Sequence, residues 1–116
     1  MLCTMCKSKI SNAVVTGKEL YYEGSITIDE NIIEKADIAP GEMVDVLNLN
    51  SGARITTYVI PGKRGLGEIG LNGPASRFFE IGDTVVILST CIVDESQRKN
   101  WKINTVKLQN KDKTVV

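Results

Sequence analysis

The dipeptide Gly24-Ser25 stands at the mouth of an alternating run, Ser25-Ile26-Thr27-Ile28-Asp29. Apolar residues recur at every second position, so a β-strand begins at the serine and the dipeptide lies where a loop enters it. That placement suits self-cleavage of the backbone. Glycine tolerates strained dihedrals and leaves its carbonyl uncovered, and the neighbouring serine hydroxyl can attack that carbonyl. An N→O acyl shift would give an ester, and β-elimination would break it. The new N-terminus would be a dehydroalanine, which hydrolyses to a pyruvoyl group. Such a ketone is an electron sink, so a chain cut here would carry a cofactor of its own making. Gly-Ser is also a common loop dipeptide, and taken alone it marks a turn. The residues around it decide the matter.

Lys9, Tyr22, Gly24-Ser25, Arg54, Thr57-Tyr58 and Asn72-Gly73-x-Ala75 follow one another in that order. With these residues the chain resembles the pyruvoyl-dependent aspartate 1-decarboxylase family, which makes β-alanine for pantothenate and hence coenzyme A synthesis. The resemblance runs from Met1 to about Trp101. Its most specific pieces are Tyr22-Glu23-Gly24-Ser25, Arg54-x-x-Thr57-Tyr58 and Asn72-Gly73. It implies a carboxy-lyase acting on L-aspartate through a Schiff base with a pyruvoyl group made from Ser25. It implies one domain, residues 1–116, cut into a β chain 1–24 and an α chain 25–116. It also implies a mainly β fold, a six-stranded double-psi β-barrel with a few short helices. The family assembles as a homotetramer with active sites between subunits. Whether a maturation factor assists is left open.

Decarboxylating an α-amino acid leaves a carbanion at Cα that no ordinary side chain can delocalise. Pyridoxal phosphate or a pyruvoyl group is required. The chain is too short for the usual pyridoxal-phosphate folds and shows no phosphate cup, so the expectation is pyruvoyl and no pyridoxal phosphate. The resemblance makes Tyr58 the acid that reprotonates Cα. Arg54 should grip the substrate's side-chain carboxylate, because a planar guanidinium matches a carboxylate at two points. Arg54, Thr56 and Tyr58 share one parity on a strand, so Arg54 and Tyr58 can face one site. Thr57 then points the other way, yet the resemblance gives it a role in stabilising the Gly24 oxyanion and in substrate contact. A bulge or twist near residue 57 would reconcile the two. The resemblance brings Lys9 near the substrate carboxylates. Asn72 and Gly73 would offer an amide and backbone N–H donors to the substrate. Pro74 and Ala75 continue that binding segment, and Tyr22 lines the cleavage site.

Three positions depart from the family. Ser11 stands where a histidine is usual, so any proton-transfer or positioning role of that histidine is lost or weakened. Leu47 stands where a bulkier apolar residue, often tryptophan, is common. Residues 73–75 read Gly-Pro-Ala in place of Gly-Ala-Ala, and proline has no N–H to donate.

The frame around these residues is modest. A chain of 116 residues can build one core. Fourteen basic and fourteen acidic residues balance to a formal charge of zero, which points to neither nucleic acid nor a membrane surface as partner. There is no apolar run of about 18 residues to span a membrane, and Lys7 and Lys9 interrupt any signal-peptide core. A cytoplasmic protein is expected. Three cysteines argue against a disulfide framework. The absence of histidine excludes Ser-His-Asp and Cys-His catalysis and His-based zinc sites, and no metal is expected.

Strand-like runs dominate the rest. They are 13–16, 26–28, 44–49, 54–60, 68–71, 84–88 and 105–108, with a hairpin turn at Asn50-Ser51-Gly52. Asp29 is expected to cap a helix from Glu30 to Asp37 that Pro40-Gly41 stops. Pro74 opens a short helix through Phe78, and Asp94 caps another through Asn100. The polar tail 109–116 is expected to fray. Two motifs read as decoys. Cys3-Thr4-Met5-Cys6 has too few companions for zinc and lies too near the start for a thioredoxin-like site. Gly65-Leu66-Gly67-Glu68-Ile69-Gly70 spells a dinucleotide fingerprint, but Pro74 follows where its helix should be under way. A non-catalytic reading also exists: a small β-barrel that binds a partner or regulates transcription, with Lys99, Lys102, Lys107, Lys111 and Lys113 as its basic face. Those lysines are interspersed with polar residues, as on a solvated surface.

Overall fold

The computed structural model describes residues 1–109 and the backbone of residues 114 and 115. Its strands are β1 Leu2–Val14, β2 Gly17–Glu19, β3 Ser25–Asp29, β4 Met43–Asn48, β5 Arg54–Gly62, β6 Ile69–Asn72, β7 Thr84–Asp94, β8 Asn104–Gln109 and β9 Thr114–Val115. One α-helix, α1 Glu30–Lys35, follows β3 directly. Two 3₁₀ turns, Gly73–Phe78 and Glu95–Gln97, follow β6 and β7. The mainly β class with few short helices is as the sequence implies.

Period-two patterning sets the inner face. In β4, Val44, Val46 and Asn48 point inward while Met43, Asp45 and Leu47 point outward. In β7, Val85, Ile87 and Ser89 do the same. Val44, Val46, Val85 and Ile87 meet Ile10, Ile26, Ile28, Val59 and Leu71 in one buried core. Each large aliphatic chain buried there contributes roughly 1.5–3 kcal/mol.

The strands form a single mixed sheet in the order β2-β6-β3-β5-β4-β7-β1-β8-β9. β3 runs parallel to β5 and β1 parallel to β8, while β3–β6, β4–β5, β4–β7 and β1–β7 are antiparallel. β1 and β2 are six places apart in that order, yet only Val15 and Thr16 separate them in the chain. A flat sheet would hold them about 29 Å apart, and the short link reaches only about 11 Å. The sheet must therefore curl back on itself. Thr16 completes the curl: its N–H donates to Ile69 O on β6 (2.9 Å). The six strands β6, β3, β5, β4, β7 and β1 make a barrel-like wall. The ladder itself is not closed.

The helix forms where the sequence places it. Asp29 caps α1 by accepting from Asn31 N (2.8 Å), and Ile32 and Ile33 fill its buried face. It ends at Lys35, two residues earlier than expected, because Asp37 turns to a positive φ of 56°. The Pro74 turn is 3₁₀ and opens at Gly73. Asp94 caps the second turn with a full capping box, but the turn stops at Gln97, short of the expected Asn100. Of the tail, Gln109 pairs with Thr114 and Leu108 with Val115. The rest of the expected frayed segment, 110–113 and 116, lies outside the described residues.

Candidate active site

Ser25 is the first residue of β3 and is fully enclosed. Its ladder partner on β6 is Asn72. That pairing aims the Asn72 amide at the serine: Nδ2 donates to Ser25 Oγ (3.0 Å) and to Thr27 Oγ1 (2.9 Å). Ser25 Oγ donates in turn to Glu23 O (3.4 Å), so the hydroxyl reaches back across the Gly24–Ser25 peptide. Past Asn72 the chain turns sharply at Gly73, with φ +67°. A Cβ at Gly73 would lie 2.4 Å from Tyr22 O and 2.8 Å from Gly24 N. One built on Gly24 would sit 3.8 Å from Pro74 Cδ. The segment Tyr22–Gly24 is thus wedged between β3 and the Asn72-Gly73-Pro74 corner. Ser76 Oγ stitches the corner by donating to Gly73 O (2.7 Å), and Ala75 is buried beneath it. Leu20, Tyr21, Tyr22, Glu23 and Pro74 line an open groove outside.

β5 runs beside β3 with Ile26 opposite Val59. Continuing that register back sets Tyr58 beside Ser25 and Thr57 beside Gly24. β4 pairs with β5 without a shift from Met43–Tyr58 to Leu47–Arg54. The bulge expected near residue 57 is therefore absent. Thr57 is buried on the inner face, and Arg54, Thr56 and Tyr58 lie on the outer one. The same register, continued, sets Thr57 level with Gly24 but on the face opposite Arg54 and Tyr58.

Lys9 and Arg54 stand apart from Ser25. Arg54 is four residues along β5 from Tyr58, about 13 Å at strand rise. Lys9 is exposed on β1, three strands beyond β5 in the sheet. Both lie on the outer face of the β1-β7-β4-β5 wall. Lys9 pairs with Leu88, Leu88 with Asp45 and Asp45 with Thr56, in one row across four strands. Arg54 is already engaged: Nη2 donates to Asp45 Oδ2 (2.8 Å), and Thr56 Oγ1 donates to Asp45 Oδ1 (2.6 Å). The Thr56 hydrogen bond, helped by Arg54, holds the Asp45 carboxyl below the usual aspartate range despite partial burial. Leu47, opposite Arg54, and Met43, opposite Tyr58, give this face its apolar part. Ser11 lies on β1 against Lys107.

Two residues here carried no functional signal in the sequence. Asp45 read as a polar position within β4, and only the β4–β5 register shows that it meets Arg54 and Thr56. Thr27 shares parity with Ser25, which is the one hint that an amide could reach both. The decoys resolve physically. Cys3 and Cys6 are three apart on a regular stretch of β1, so they face opposite sides of the strand and cannot share a metal or a disulfide. The three cysteines are free. No group of three or more metal-ligating side chains occurs among the described residues. In the Gly65–Gly70 loop, Gly65 N and Gly67 N donate to Asp29 Oδ2 (3.0 and 2.7 Å). A carboxylate of the chain itself fills the position a phosphate would need.

The aspartate decarboxylase family model matches residues 1–115. An aspartate 1-decarboxylase from Thermoanaerobacter pseudethanolicus is 49% identical over 111 residues, covering 96% of this chain and 95% of that protein. One from Coxiella burnetii is 56% identical over 99 residues, 85% of this chain and 89% of the relative. One from Francisella tularensis subsp. novicida is 52% identical over 112 residues, 97% and 100%. A serine buried at a strand mouth beneath an asparagine amide thus sits in a chain matched along nearly its whole length, and the chain belongs to the aspartate decarboxylase family.

Proposed function

We propose that the protein cuts itself between Gly24 and Ser25 and then decarboxylates L-aspartate to β-alanine, which feeds pantothenate and coenzyme A synthesis. As a member of its family it is a carboxy-lyase. The observation that carries the self-processing half is the Asn72 amide on a Ser25 hydroxyl with no exposure to solvent. The surroundings fit a ketone made at Ser25, since the residue is enclosed and an amide donor stands beside it. When formed, the pyruvoyl group supplies the electron sink for the carbanion left at Cα as CO₂ departs.

The chain's own residues do the rest. Ser25 Oγ is the nucleophile of processing and Gly24 its uncovered carbonyl. Thr57, level with Gly24, is assigned to its oxyanion. Tyr58, level with Ser25, holds the proton that returns to Cα. Arg54 takes the substrate's distal carboxylate and Lys9 adds a second positive charge. Asn72, Gly73, Pro74 and Ala75 form the wall against which substrate lies, with no backbone N–H at Pro74. Because Lys9 and Arg54 stand away from Ser25 within one chain, a homotetramer with sites between subunits is proposed, in which a neighbouring chain's cations complete each site. Three free thiols on the chain suit the cytoplasm.

Intact-mass measurement of fully aged protein tests the core of this reading. The expected result is two species, residues 1–24 and residues 25–116, the larger carrying a pyruvoyl terminus. Reduction with borohydride in the presence of aspartate should add substrate mass to the larger piece. A chain that stays whole at 12.7 kDa discards the mechanism.

A further inference from the structure

We infer that Gly73 is a positioning residue for self-processing: its bare Cα is the seat on which Tyr22, Glu23 and Gly24 rest, and that contact sets the scissile carbonyl against the Ser25 hydroxyl. The inference rests on the cleavage proposed above. It differs from a substrate-binding role, because it acts before any substrate site exists.

Two independent observations carry it. Gly73 has φ +67°, a conformation that β-carbon-bearing residues seldom adopt. Separately, a Cβ there would meet Tyr22 O at 2.4 Å, Gly24 N at 2.8 Å and Glu23 C at 3.0 Å. All three contacts are backbone, so no side chain can rotate away. They are also the atoms leading into the bond that breaks. Ser25 cannot follow a displacement of that segment. It is tied to Asn72 by the β3–β6 ladder and by the amide on its hydroxyl. The dipeptide Asn72-Gly73 therefore holds both reactants, the nucleophile through the Asn72 side chain and the electrophile through the empty side of Gly73.

The step concerned is the acyl shift. Ser25 Oγ bonds to the Gly24 carbonyl carbon, the Gly24–Ser25 C–N bond breaks, and the hydroxyl proton ends on the freed Ser25 nitrogen. A methyl group at residue 73 would push the 22–24 segment back by about 1 Å to regain ordinary contact. A misplacement of that size costs on the order of 100-fold in rate.

The test compares wild type, Gly73→Ala and Gly73→Asn, each isolated folded and followed by intact mass. Asparagine tolerates positive φ better than alanine but carries the same Cβ. Both variants are expected to cleave about 100-fold more slowly than wild type. Hydroxylamine, which traps the ester, should release residues 1–24 as a hydroxamate from young wild-type precursor and not from the variants. Cleavage of Gly73→Ala at the wild-type rate would overturn the inference. So would rescue by asparagine, which would make the dihedral and not the contact decisive. A second arm uses the uncleavable Ser25→Ala precursor. There Gly73→Ala should speed hydrogen exchange at residues 20–24 while leaving β1 and β7 protected. Uniform loss of protection would overturn the inference by making Gly73 a general stability residue. If wild type itself never cleaves, the cleavage reading fails, while this second arm still tests the seat.

Discussion

The Ser25 corner and the outer face of the β1-β7-β4-β5 wall are built on opposite plans. At the corner the polar groups are buried and paired with one another: Asn72 with Ser25 and Thr27, Ser76 with Gly73. On the wall the polar groups are charged and open to solvent, and Arg54 rests on Asp45 with more than half of its side chain exposed. The corner is complete within one chain. The wall presents Lys9, Arg54, Tyr58, Leu47 and Met43 outward. On the proposed reading, making the cofactor is a property of the single chain, and using it depends on what the wall meets.

Mutations on the two sides should separate these functions. Ser25→Ala has the largest expected effect, complete loss of both cleavage and decarboxylation, read by mass and by CO₂ release. Residual decarboxylation would erase the division altogether. Tyr58→Phe should cleave normally and lose about 10²–10⁴-fold in kcat, as expected when a general acid is removed. Slow maturation in that variant would move Tyr58 to the corner's side. Arg54→Lys should also mature normally, with the KM for aspartate raised about tenfold, because the charge remains and the two-point geometry does not. An unchanged KM would remove Arg54 from substrate binding. Asp45→Ala has the smallest effect, a few-fold rise in KM, since a largely solvated pair is worth under about 1 kcal/mol. Its pH dependence sharpens the point. The folded carboxyl titrates below its unfolded value, so its contribution is whole above about pH 4 and fades as pH falls through the folded pKa. Arg54 orientation read by KM should follow the same direction, and a loss on raising pH would contradict it.

The corner was far more legible in the sequence than the wall. Ser25 opens β3 as the alternation predicts, Asp29 caps the helix, and Pro74 opens its turn, because each is set by neighbours in the chain. The wall depends on register. Asp45, nine residues from Arg54 in sequence, becomes its partner only through the β4–β5 pairing. The β4–β5 register is regular, so Thr57 stays on the face opposite Arg54 and Tyr58, as the parity predicts, and no bulge turns it. The sequence also underestimates β1, which starts at Leu2 and not at Ala13, and β7, which runs on to Asp94. Their outer halves pair with each other, Leu2 with Asp94 through Cys6 with Thr90, and neither face of that ribbon is fully buried. Without a buried face no two-residue hydrophobic rhythm is imposed, and none can be read.

β1 carries one more implication. It lies between β7 and β8, zipped on both edges, with Ile10 and Ala13 pinned in the interior. A cut after Gly24 would sever the piece that contains this strand, yet that piece could not drift off without dismantling the middle of the sheet. The nicked molecule should behave as an interlocked heterodimer, melting as one body and parting only under denaturant.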